Sequence, residues 1–427
     1  MIDDLLAHDA GRSEFLRTLL VKLGLKVSSE SGASTPRSGL NLTPIQISSS
    51  TYGLTWSTYN SLQSIADTIP RYEGEPFTIT DTNDTFHLQY ITSSLDSMRD
   101  LRLLLNSHYP SNSLDPSPKH IFLHPKPMTY SHFSPKEYFQ HLSPSSKVGQ
   151  TLAYVEVTTS TQTLLDKNPA LLRSLPPGFV ITATSQLNGR GRAGNAWISP
   201  VGGLAFSYVL RLPIKLSHRL VFVQYLVSLA VVEGIKSYAD GWQDVNVAIK
   251  WPNDVYGKPR GAERWEKIGG IIINSTYLEN EYVLVVGTSF IQARLSAGVG
   301  LNATNPHPTT SLLNIIPEDF AHPTFERLLA RILSVFSEMY TEFLKSGFVC
   351  FEDRYYKRWL HDAQIVSIEN GITRGKIKGI DFKDGGSGGL LVDEVDIQGR
   401  SLGKKMVEVV ADGNSFDMMK GLLRRKR

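Results

Sequence analysis

The run GRGRAG at residues 189–194 fits the Gly-x-Gly-x-x-Gly pattern of dinucleotide-binding folds, and its surroundings decide which folds this chain can adopt. In those folds the last glycine opens a helix, and an acidic residue about 20 positions later binds a ribose hydroxyl. Here NAWISPVGG follows, with Pro200 leading into a β-rich segment, and no Asp or Glu occurs between residues 167 and 232. The sequence around the run therefore excludes a Rossmann fold.

The same acid-free segment is rich in positive charge. Its seven basic residues are Lys167, Arg173, Arg190, Arg192, Arg211, Lys215 and Arg219. Glycines that expose backbone N–H groups beside fixed cations are typical of loops that bind phosphate or carboxylate. Arg190 and Arg192 would share one side of an extended loop, and Trp197 offers a flat apolar wall. A solvated, mobile loop explains the same composition, so the run alone does not choose between the two.

Strand-like and helix-like patterns alternate on both sides of this run. Strands are predicted at LAYVEVT, PPGFVITATSQ, GGLAFSYVLRLP, VNVAIKWPNDVY, KIGGIIINSTYL and EYVLVVG, and helices at STQTLLDKNPALLRSL, LVFVQYLVSLAVVEGIKSYA and TFERLLARILSVFSEMYTEFLKSG. After RWLHDA, short β runs with glycine turns are consistent with a small barrel. The expected fold class is α+β, a mixed β-sheet with helices followed by a small C-terminal β domain.

Composition shifts divide the chain into segments. A helix at residues 12–27 precedes a Ser/Gly/Pro-rich linker; it looks like the tail of a missing upstream region, or it docks on the main body. Residues 106–135 are rich in Ser, Pro, His and Asn and predict a connection. The expected segments are 1–40 (helix and linker), 41–115 (a small α+β unit), 116–147 (a linker), 148–350 (the main body) and 362–427 (the C-terminal domain).

The bulk composition excludes several classes of protein. A formal net charge of +3 is too mild for a nucleic-acid coat or a membrane-binding surface. Cys350 is the only cysteine, which excludes a disulfide framework and a cysteine-based metal site. The start MIDDLLAHDA is a poor signal peptide, and no apolar stretch is expected to reach the roughly 20 residues of a membrane span. We therefore expect a soluble, cytoplasmic protein.

Three further motifs carry side chains suited to nucleotide chemistry, each with a structural alternative. In KWPNDVY, Asn253 and Asp254 end a strand and present an amide for a base edge and a carboxylate for Mg²⁺, but Pro-Asn-Asp is also a good turn. Lys267, before the glycines of KIGGIII, either points into a site or is an edge lysine. GVGLN at 298–302 suits a phosphate or adenine contact and a plain turn equally.

In this order, STQT, SQLNGRGRAGNAWISPVGG, KWPNDVY, KIGG and GVGLN resemble the biotin protein ligases (holocarboxylase synthetases) of eukaryotic, fungal type. The resemblance covers about residues 148–345, and DGNSFDMMKGL looks like the family's small C-terminal domain. It implies a class II synthetase-like catalytic domain with an SH3-like barrel. It also implies ATP-dependent formation of biotinyl-5′-adenylate and transfer of biotin to a lysine. Lipoate ligases share the catalytic fold but lack the GRGRAGNAW run.

The resemblance also implies roles for individual residues. Biotin would be bound by Ser160, Thr161, Gln162, Gln186, Arg190, Gly191, Arg192, Trp197 and Lys267. ATP and the adenylate would be bound by Gly189, Gly194, Trp197, Lys250, Asn253, Asp254, Gly269 and Asn302. Lys267 would bridge the biotin carboxylate and the α-phosphate, Arg192 would retain the adenylate, and Asp254 would help to hold Mg²⁺.

The implied partners are the biotin-carrier domains of carboxylases of the acetyl-CoA carboxylase and pyruvate carboxylase type. Neither nucleic acid nor a membrane is expected as a partner, and the protein is expected to be a monomer. Two other functions stay open: a lipoate-type ligase or acyltransferase, and a non-catalytic regulator that binds biotin or nucleotide. Pyrophosphate exchange that depends on biotin or on lipoate distinguishes the two kinds of ligase. Transfer of the label to an acceptor protein distinguishes a ligase from a non-catalytic regulator.

The chain departs from the family pattern at two places. Gln162 follows Ser-Thr where many relatives have Asn. Ten residues, TSFIQARLSA at 288–297, separate VLVVG from GVGLN, where relatives continue directly. The extra segment is either a tolerated loop or an error in the predicted coding sequence. If it is real, we expect Asn302 to be displaced from the adenine pocket.

Overall fold

The computed structural model describes residues 42–72, 74–91, 118–190, 196–291, 309–368, 373–404, 406–410, 414–417 and 422–425. All of them belong to one unit that spans residues 41–427. The helix expected at residues 12–27 lies outside the described residues.

A mixed twelve-stranded sheet forms the main body of the described chain. Its strands are β1 (Ile45–Ser49), β2 (Phe77–Thr80), β3 (Thr85–Tyr90), β4 (Lys119–Leu123), β5 (Thr151–Thr158), β6 (Val180–Arg190), β7 (Ala196–Ser199), β8 (Gly203–Pro213), β9 (Val247–Lys250), β10 (Asp254–Gly257), β11 (Glu266–Leu278) and β12 (Glu281–Ile291). The order is β2-β3-β4-β1-β5-β6-β8-β12-β11-β10-β9, with β7 paired to β6. Three neighbouring pairs, β1–β4, β3–β4 and β5–β6, are parallel. The mixed sheet confirms the α+β prediction.

The N-terminal strands extend this sheet instead of forming a separate unit. β4 lies inside residues 116–147, which the sequence predicts as a linker, and it pairs with β1 and β3. β1 in turn pairs antiparallel with β5, with Ile45 opposite Val155. A five-residue strand has too few positions to show periodicity, and its strand partner β1 is distant in sequence. The predicted boundaries at 115 and 147 therefore do not match this fold.

Helices cover both faces of the sheet. They are α1 (Tyr52–Gln63), α2 (Pro135–His141), α3 (Thr161–Asp166), α4 (Pro169–Ser174), α5 (Val223–Lys236), α6 (Leu312–Ile315), α7 (Phe325–Ser346) and α8 (Glu352–Tyr356), with 3-10 turns at Ile214–Phe222, Trp242–Asp244 and Val349–Phe351. The apolar side chains of α5 and α7 share one core with Tyr154, Phe206 and Tyr208 of the sheet. Those of α1, α3 and α4 share the core on the other face with Ala183 and Val285.

One predicted helix is broken into two. STQTLLDKNPALLRSL forms α3 and α4, because Pro169 lacks the N–H that a continuous helix needs and instead starts a new helix at its first position. Asn168 between them is fully buried.

Strand β12 runs further than the sequence suggests. VLVVG is followed without interruption by Thr288–Ile291. Thr288, Ser289 and Phe290 pair with β11 on one side, and all four residues pair with β8 on the other. The extra segment at 288–297 therefore begins as strand, and its remaining residues lie outside the described part. Thr, Phe and Ile favour extended backbone, which explains why the strand continues.

One helical segment contradicts the expectation of no membrane-length apolar stretch. Ile214–Lys236 is long and apolar enough by length and composition to cross a membrane, but 72% of its apolar window is buried inside the protein. A buried core helix passes the same test, so this finding is weak support for a membrane span.

A second sheet follows the linker at residues 357–364. Its strands are β13 (Ile365–Ile368), β14 (Thr373–Ile380), β15 (Leu390–Val395), β16 (Val407–Val409), β17 (Asn414–Asp417) and β18 (Leu422–Arg425), in the order β16-β15-β14-β13-β18-β17. Its core joins that of α5 and α7 through a cluster of aromatic rings, Phe222, Tyr225, Phe348, Tyr355 and Phe382. The C-terminal sheet is thus packed firmly on the main body.

Candidate active site

The first part of the candidate site lies where α3 begins. Ser160 is the N-cap residue, and its hydroxyl accepts a hydrogen bond from the backbone N–H of Thr163 at 3.3 Å. Gln186 of β6 accepts through Oε1 from the backbone N–H and the hydroxyl of Thr161, at 2.9 and 3.0 Å. All three predicted side chains, Ser160, Thr161 and Gln186, are buried. The structure brings them together as neutral hydrogen-bonding groups.

Gln162 is held by the sheet beneath α3. Its Nε2 donates to the carbonyl oxygen of Val285 at 2.8 Å, and its Oε1 accepts from the hydroxyl of Ser207 at 3.3 Å. A side chain at Gly287 would overlap this amide, so glycine is required opposite it. The predicted contact of Gln162 with biotin stays a prediction.

Three serines that the sequence did not single out extend this group. The hydroxyls of Thr161 and Ser207 lie 2.9 Å apart, and Nε2 of Gln186 donates to Ser199 at 3.2 Å. The hydroxyls of Ser199 and Ser289 lie 3.0 Å apart. A hydroxyl within the apolar run LAFSYVL was the available signal for Ser207. We call Ser160, Thr161, Gln162, Gln186, Ser199, Ser207 and Ser289 the neutral cluster.

The second part of the site is the turn between β9 and β10. Nδ2 of Asn253 donates to the carbonyl oxygen of Ile271 at 2.7 Å, and the backbone N–H of Ile271 donates to the carbonyl oxygen of Asn253 at 2.9 Å. This reciprocal pair fixes the Pro-Asn-Asp turn against β11. The amide of Asn253 thus has a structural role, and its predicted contact with adenine stays a prediction.

Asp254 lies between two lysines. Its Oδ1 is 2.6 Å from Nζ of Lys267, and its Oδ2 is 3.9 Å from Nζ of Lys250. The three side chains are between 12% and 16% exposed, so the charges are largely shielded from solvent but accessible to a ligand. One carboxylate thus lies between two ammonium groups. We call these three residues the ion cluster.

A β-bulge directs Lys267 toward Asp254. Val255 pairs with Gly269, but the next residue, Tyr256, pairs with Lys267, so Ile268 is an extra residue on β11. Bulges bend a strand, re-aim a side chain and occur next to active sites. The sequence left open whether Lys267 is an edge lysine, and the structure turns it onto the carboxylate of the KWPND turn.

The two glycines after Lys267 have different roles. A Cβ on Gly270 would lie 3.3 Å from Oδ1 of Asp254 and 3.5 Å from Nζ of Lys267, so its absence leaves room beside the ion cluster. A Cβ on Gly269 would instead meet the backbone of Ser289 and the side chain of Phe290. The predicted nucleotide contact of Gly269 stays a prediction, and Gly270, which the sequence analysis did not select, is the glycine beside the charges.

A row of small residues connects the two clusters. Ala205 of β8 pairs with Ser289 of β12, Ser289 with Gly270 of β11, and Gly270 with Asp254 of β10. Directly opposite residues place their side chains on the same face of a sheet. Ala205 is buried, whereas Ser289, Gly270 and Asp254 are partly exposed. The row therefore forms the floor of a path from the neutral cluster to the ion cluster on one face.

The first two residues of the glycine–arginine run lie in β6, which pairs with β7. Gly189 of β6 pairs with Trp197 of β7, and Arg190 pairs with Ala196. A strand and not a helix follows the run, which confirms that the Gly-x-Gly-x-x-Gly match is not a Rossmann motif. The remaining predicted residues of this group, Gly191, Arg192, Gly194 and Asn302, lie outside the described residues, as do the side chains of Arg190 and Trp197.

Distant acids neutralise part of the segment that has no acid of its own. Arg219 pairs with Asp384 at 2.9 Å, Arg211 pairs with Glu281, and Arg173 lies 3.8 Å from Glu279. These three of the seven basic residues are therefore paired with acids of the protein itself. Their partners come from the loop between β14 and β15 (Asp384), from the first residue of β12 (Glu281) and from the turn before it (Glu279).

The sequence is similar to those of known proteins of one family. Residues 154–290 match the model of the biotin/lipoate A/B protein ligase family. A biotin–protein ligase of Schizosaccharomyces pombe is 36% identical over 308 residues, covering 68% of this chain and 46% of that protein, and a human biotin–protein ligase is 30% identical over 359 residues, covering 80% and 45%. Biotin–protein ligase 2 of Arabidopsis thaliana is 34% identical over 297 residues, covering 67% of this chain and 81% of that protein. This chain thus spans about half the length of the fungal and human relatives.

Proposed function

Because this chain belongs to the biotin–protein ligase family, we propose that it uses ATP to join biotin to a lysine of a carrier protein. The biotin carboxylate attacks the α-phosphorus of ATP, pyrophosphate leaves, and biotinyl-5′-adenylate remains. The lysine amine of the acceptor then attacks the acyl carbon, loses its proton and displaces AMP.

The row of small residues between the two clusters is the observation that carries this proposal. Biotin has a neutral ureido ring at one end and a carboxylate at the other. The neutral cluster offers hydrogen-bonding groups for the ring, and the ion cluster offers lysines for the carboxylate. Ser289 and Gly270, which lack bulky side chains, leave space for the tail between them.

The same observation favours biotin over lipoate. The dithiolane ring of lipoate has no strong hydrogen-bonding groups, so it could not bond to the hydroxyls and amides of the neutral cluster, which would stay bonded to one another. A site built to hydrogen-bond its substrate discriminates strongly against an analogue that lacks those groups. A lipoate-type ligase is therefore the weaker alternative.

The ion cluster suits the adenylation step. Biotin carboxylate and the ATP α-phosphate repel each other, so cations fixed in advance lower the free energy of bringing them together. Lys267, held at 2.6 Å from Asp254, exchanges this partner for the substrate anions when they bind. Lys250 supplies the second positive charge from the other side of the carboxylate.

Magnesium fits this site as an ion held mainly by the nucleotide. Asp254 supplies one carboxylate, and no group of three or more His, Cys, Asp or Glu side chains forms a metal centre in the described part of the chain. Bound with ATP, Mg²⁺ would neutralise charge on the leaving pyrophosphate. Asp254 is the residue that would hold it.

The remaining roles follow from the resemblance to the family. By this resemblance, the segment from Gly189 to Trp197, which contains Arg190 and Arg192, covers the adenylate and excludes water from the labile anhydride. The C-terminal sheet is an SH3-like domain that helps to contact the carrier domain of a carboxylase. The monomeric state and the cytoplasmic location stay predictions.

The test uses the full chain with ATP, Mg²⁺, biotin and a biotin-carrier domain of the acetyl-CoA carboxylase type. We expect biotin-dependent exchange of pyrophosphate into ATP and biotin on one lysine of the carrier domain. Lipoate with a lipoyl domain is the matched control and should support neither reaction. Exchange that depends on lipoate would establish the lipoate alternative, and biotin binding without exchange would establish the non-catalytic regulator.

A further inference from the structure

The linker between the main body and the C-terminal sheet is built into the edge of the candidate site. Its backbone runs beside β9, the strand that leads into the KWPND turn. The backbone N–H of Ile249 donates to the carbonyl oxygen of Arg358 at 2.7 Å, and the N–H of Leu360 donates to the carbonyl oxygen of Ile249 at 2.9 Å. Ile249 and Trp359 form a parallel bridge. The linker thus acts as a short additional strand on β9.

His361 continues this contact into the turn itself. Its Nε2 accepts a hydrogen bond from the backbone N–H of Trp251 at 3.0 Å, and its Nδ1 lies 3.0 Å from Oε1 of Gln364. A ring that accepts at Nε2 and donates at Nδ1 is neutral. Burial lowers the pKa of His361 to about 4, which agrees with this assignment. Its side chain is fully buried, so no water replaces the bond to Trp251.

The indole of Trp251 is also held by a group tied to the C-terminal sheet. Its Nε1 donates to the hydroxyl of Tyr225 at 3.1 Å, and that hydroxyl donates to the carbonyl oxygen of Gly388. A Cβ on Gly388 would overlap the ring of Tyr225, so the two elements are in close contact. Both N–H groups of Trp251 are therefore held by His361 or by a residue bonded to the C-terminal sheet.

The turn that follows Trp251 carries the charged residues of the site. Asn253 is bonded to Ile271, and Asp254 is 2.6 Å from Nζ of Lys267. A shift of Trp251 therefore moves one side of the ion cluster relative to β11. Displacements of about 1 Å in a catalytic constellation reduce rates by about 100-fold.

On these contacts, and resting on the proposed function, we infer that His361 is a positioning residue for the nucleotide end of the site. It acts through the backbone of Trp251 and couples the docking of the C-terminal sheet to the placement of Asp254 and Lys250. The side chains of the neutral cluster bond instead to α3, β6, β7, β8 and β12, so we expect a change at His361 to affect them less.

The experiment compares His361→Leu with His361→Gln in the full chain. Leucine fills the space but leaves the buried N–H of Trp251 without an acceptor, whereas the glutamine Oε1 reaches the position of the histidine Nε2. We expect the leucine variant to raise the KM for ATP about tenfold, with the KM for biotin unchanged within about twofold. The glutamine variant should restore most of the ATP affinity. Hydrogen–deuterium exchange of the peptide at 247–257 should rise in the leucine variant alone.

His124→Leu is the matched control. His124 is also buried, its Nε2 lies 2.7 Å from Oε1 of Gln46, and it lies at the end of β4 away from the KWPND turn. We expect this variant to lower the unfolding temperature without changing the ATP KM relative to the biotin KM. An equal rise in both KM values for His361→Leu, or no change in exchange at 247–257, would overturn the inference. A wild-type chain with no biotin-dependent exchange would instead contradict the proposed function.

Discussion

The two ends of the candidate site are built from different interactions. The neutral cluster is a chain of hydroxyls and amides that bond to one another and to strands of the central sheet. The ion cluster is a carboxylate between two lysines on a turn and a bulged strand. In the proposed function, one end selects biotin by hydrogen-bond complementarity and the other stabilises the negative charge of the reacting groups.

The two ends of the site also contact different parts of the chain, an N-terminal hairpin and the linker before the C-terminal sheet. The N-terminal hairpin β2–β3 contacts the start of α4: Asp84 accepts from Nδ2 of Asn168 at 2.8 Å, and Asp81 accepts from the backbone N–H of Leu171 at 2.7 Å. The linker at His361 supports the KWPND turn. A change in one support should therefore alter the affinity for one substrate more than for the other.

The largest effect is expected at Lys267. Lys267→Ala removes the cation that neutralises the reacting anions, and we expect biotin-dependent pyrophosphate exchange to fall by about a thousandfold. Circular dichroism and the unfolding temperature should change little, because Lys250 still pairs with Asp254 in this variant. Lys258→Ala, which removes a lysine beyond the far end of β10, is the control and should keep wild-type exchange. Retained exchange in the Lys267 variant would remove the ion cluster from the mechanism.

The neutral end is tested by Gln186→Leu. This change leaves the backbone N–H of Thr161 and the hydroxyl of Ser199 without their buried partner. We expect the KM for biotin to rise between about 10-fold and 100-fold, while the KM for ATP stays within about twofold. Steady-state exchange with each substrate varied in turn measures both values. Equal changes in the two KM values would show that the ends of the site are not separable.

A smaller effect is expected at the N-terminal support. Asp84→Ala removes the carboxylate that bonds Asn168 and Lys119 and loosens the contact of the hairpin with α4. We expect the KM for biotin to rise about threefold, with a lower unfolding temperature and an unchanged KM for ATP. Asp67→Ala is the matched control, because Asp67 bonds Thr80 on the same hairpin and not α4. If both variants behave alike, the hairpin contributes stability only.

The smallest effect at neutral pH is expected when glutamine replaces a buried histidine. Burial lowers the pKa of His124 and of His361 to about 4, from an ordinary value of 6.5. Between these values the unfolded chain binds more protons than the folded one, so the free energy of unfolding decreases as the pH falls from 6.5 toward 4. His124→Gln and His361→Gln should each weaken this dependence, as measured by urea unfolding at pH 7 and pH 5. An unchanged pH dependence would contradict the neutral assignment.

Much of the fold and part of the site follow from local sequence. Apolar periodicity predicted the long strands β8 and β11 and the helix α7, because each is long enough to show its period. It missed β4, which is short. The family resemblance, and not local pattern, selected Ser160, Gln186 and Lys267 for the site. The signal for Ser207, a hydroxyl in an apolar run, was present but not used. Ser289 could not be selected, because its place in the site depends on the residues opposite it in the sheet.

By itself, the sequence determined that this chain is an α+β protein with biotin-ligase motifs and no dinucleotide fold, because residue type and spacing express those properties locally. Only the tertiary structure decided which acid each cation meets: Arg219 is paired with Asp384, 165 residues away, whereas a bulge turns Lys267 onto the KWPND turn. It also decided that His361 and the N-terminal hairpin support opposite ends of the site. Such relations depend on register and on contacts between distant segments, which no local pattern records.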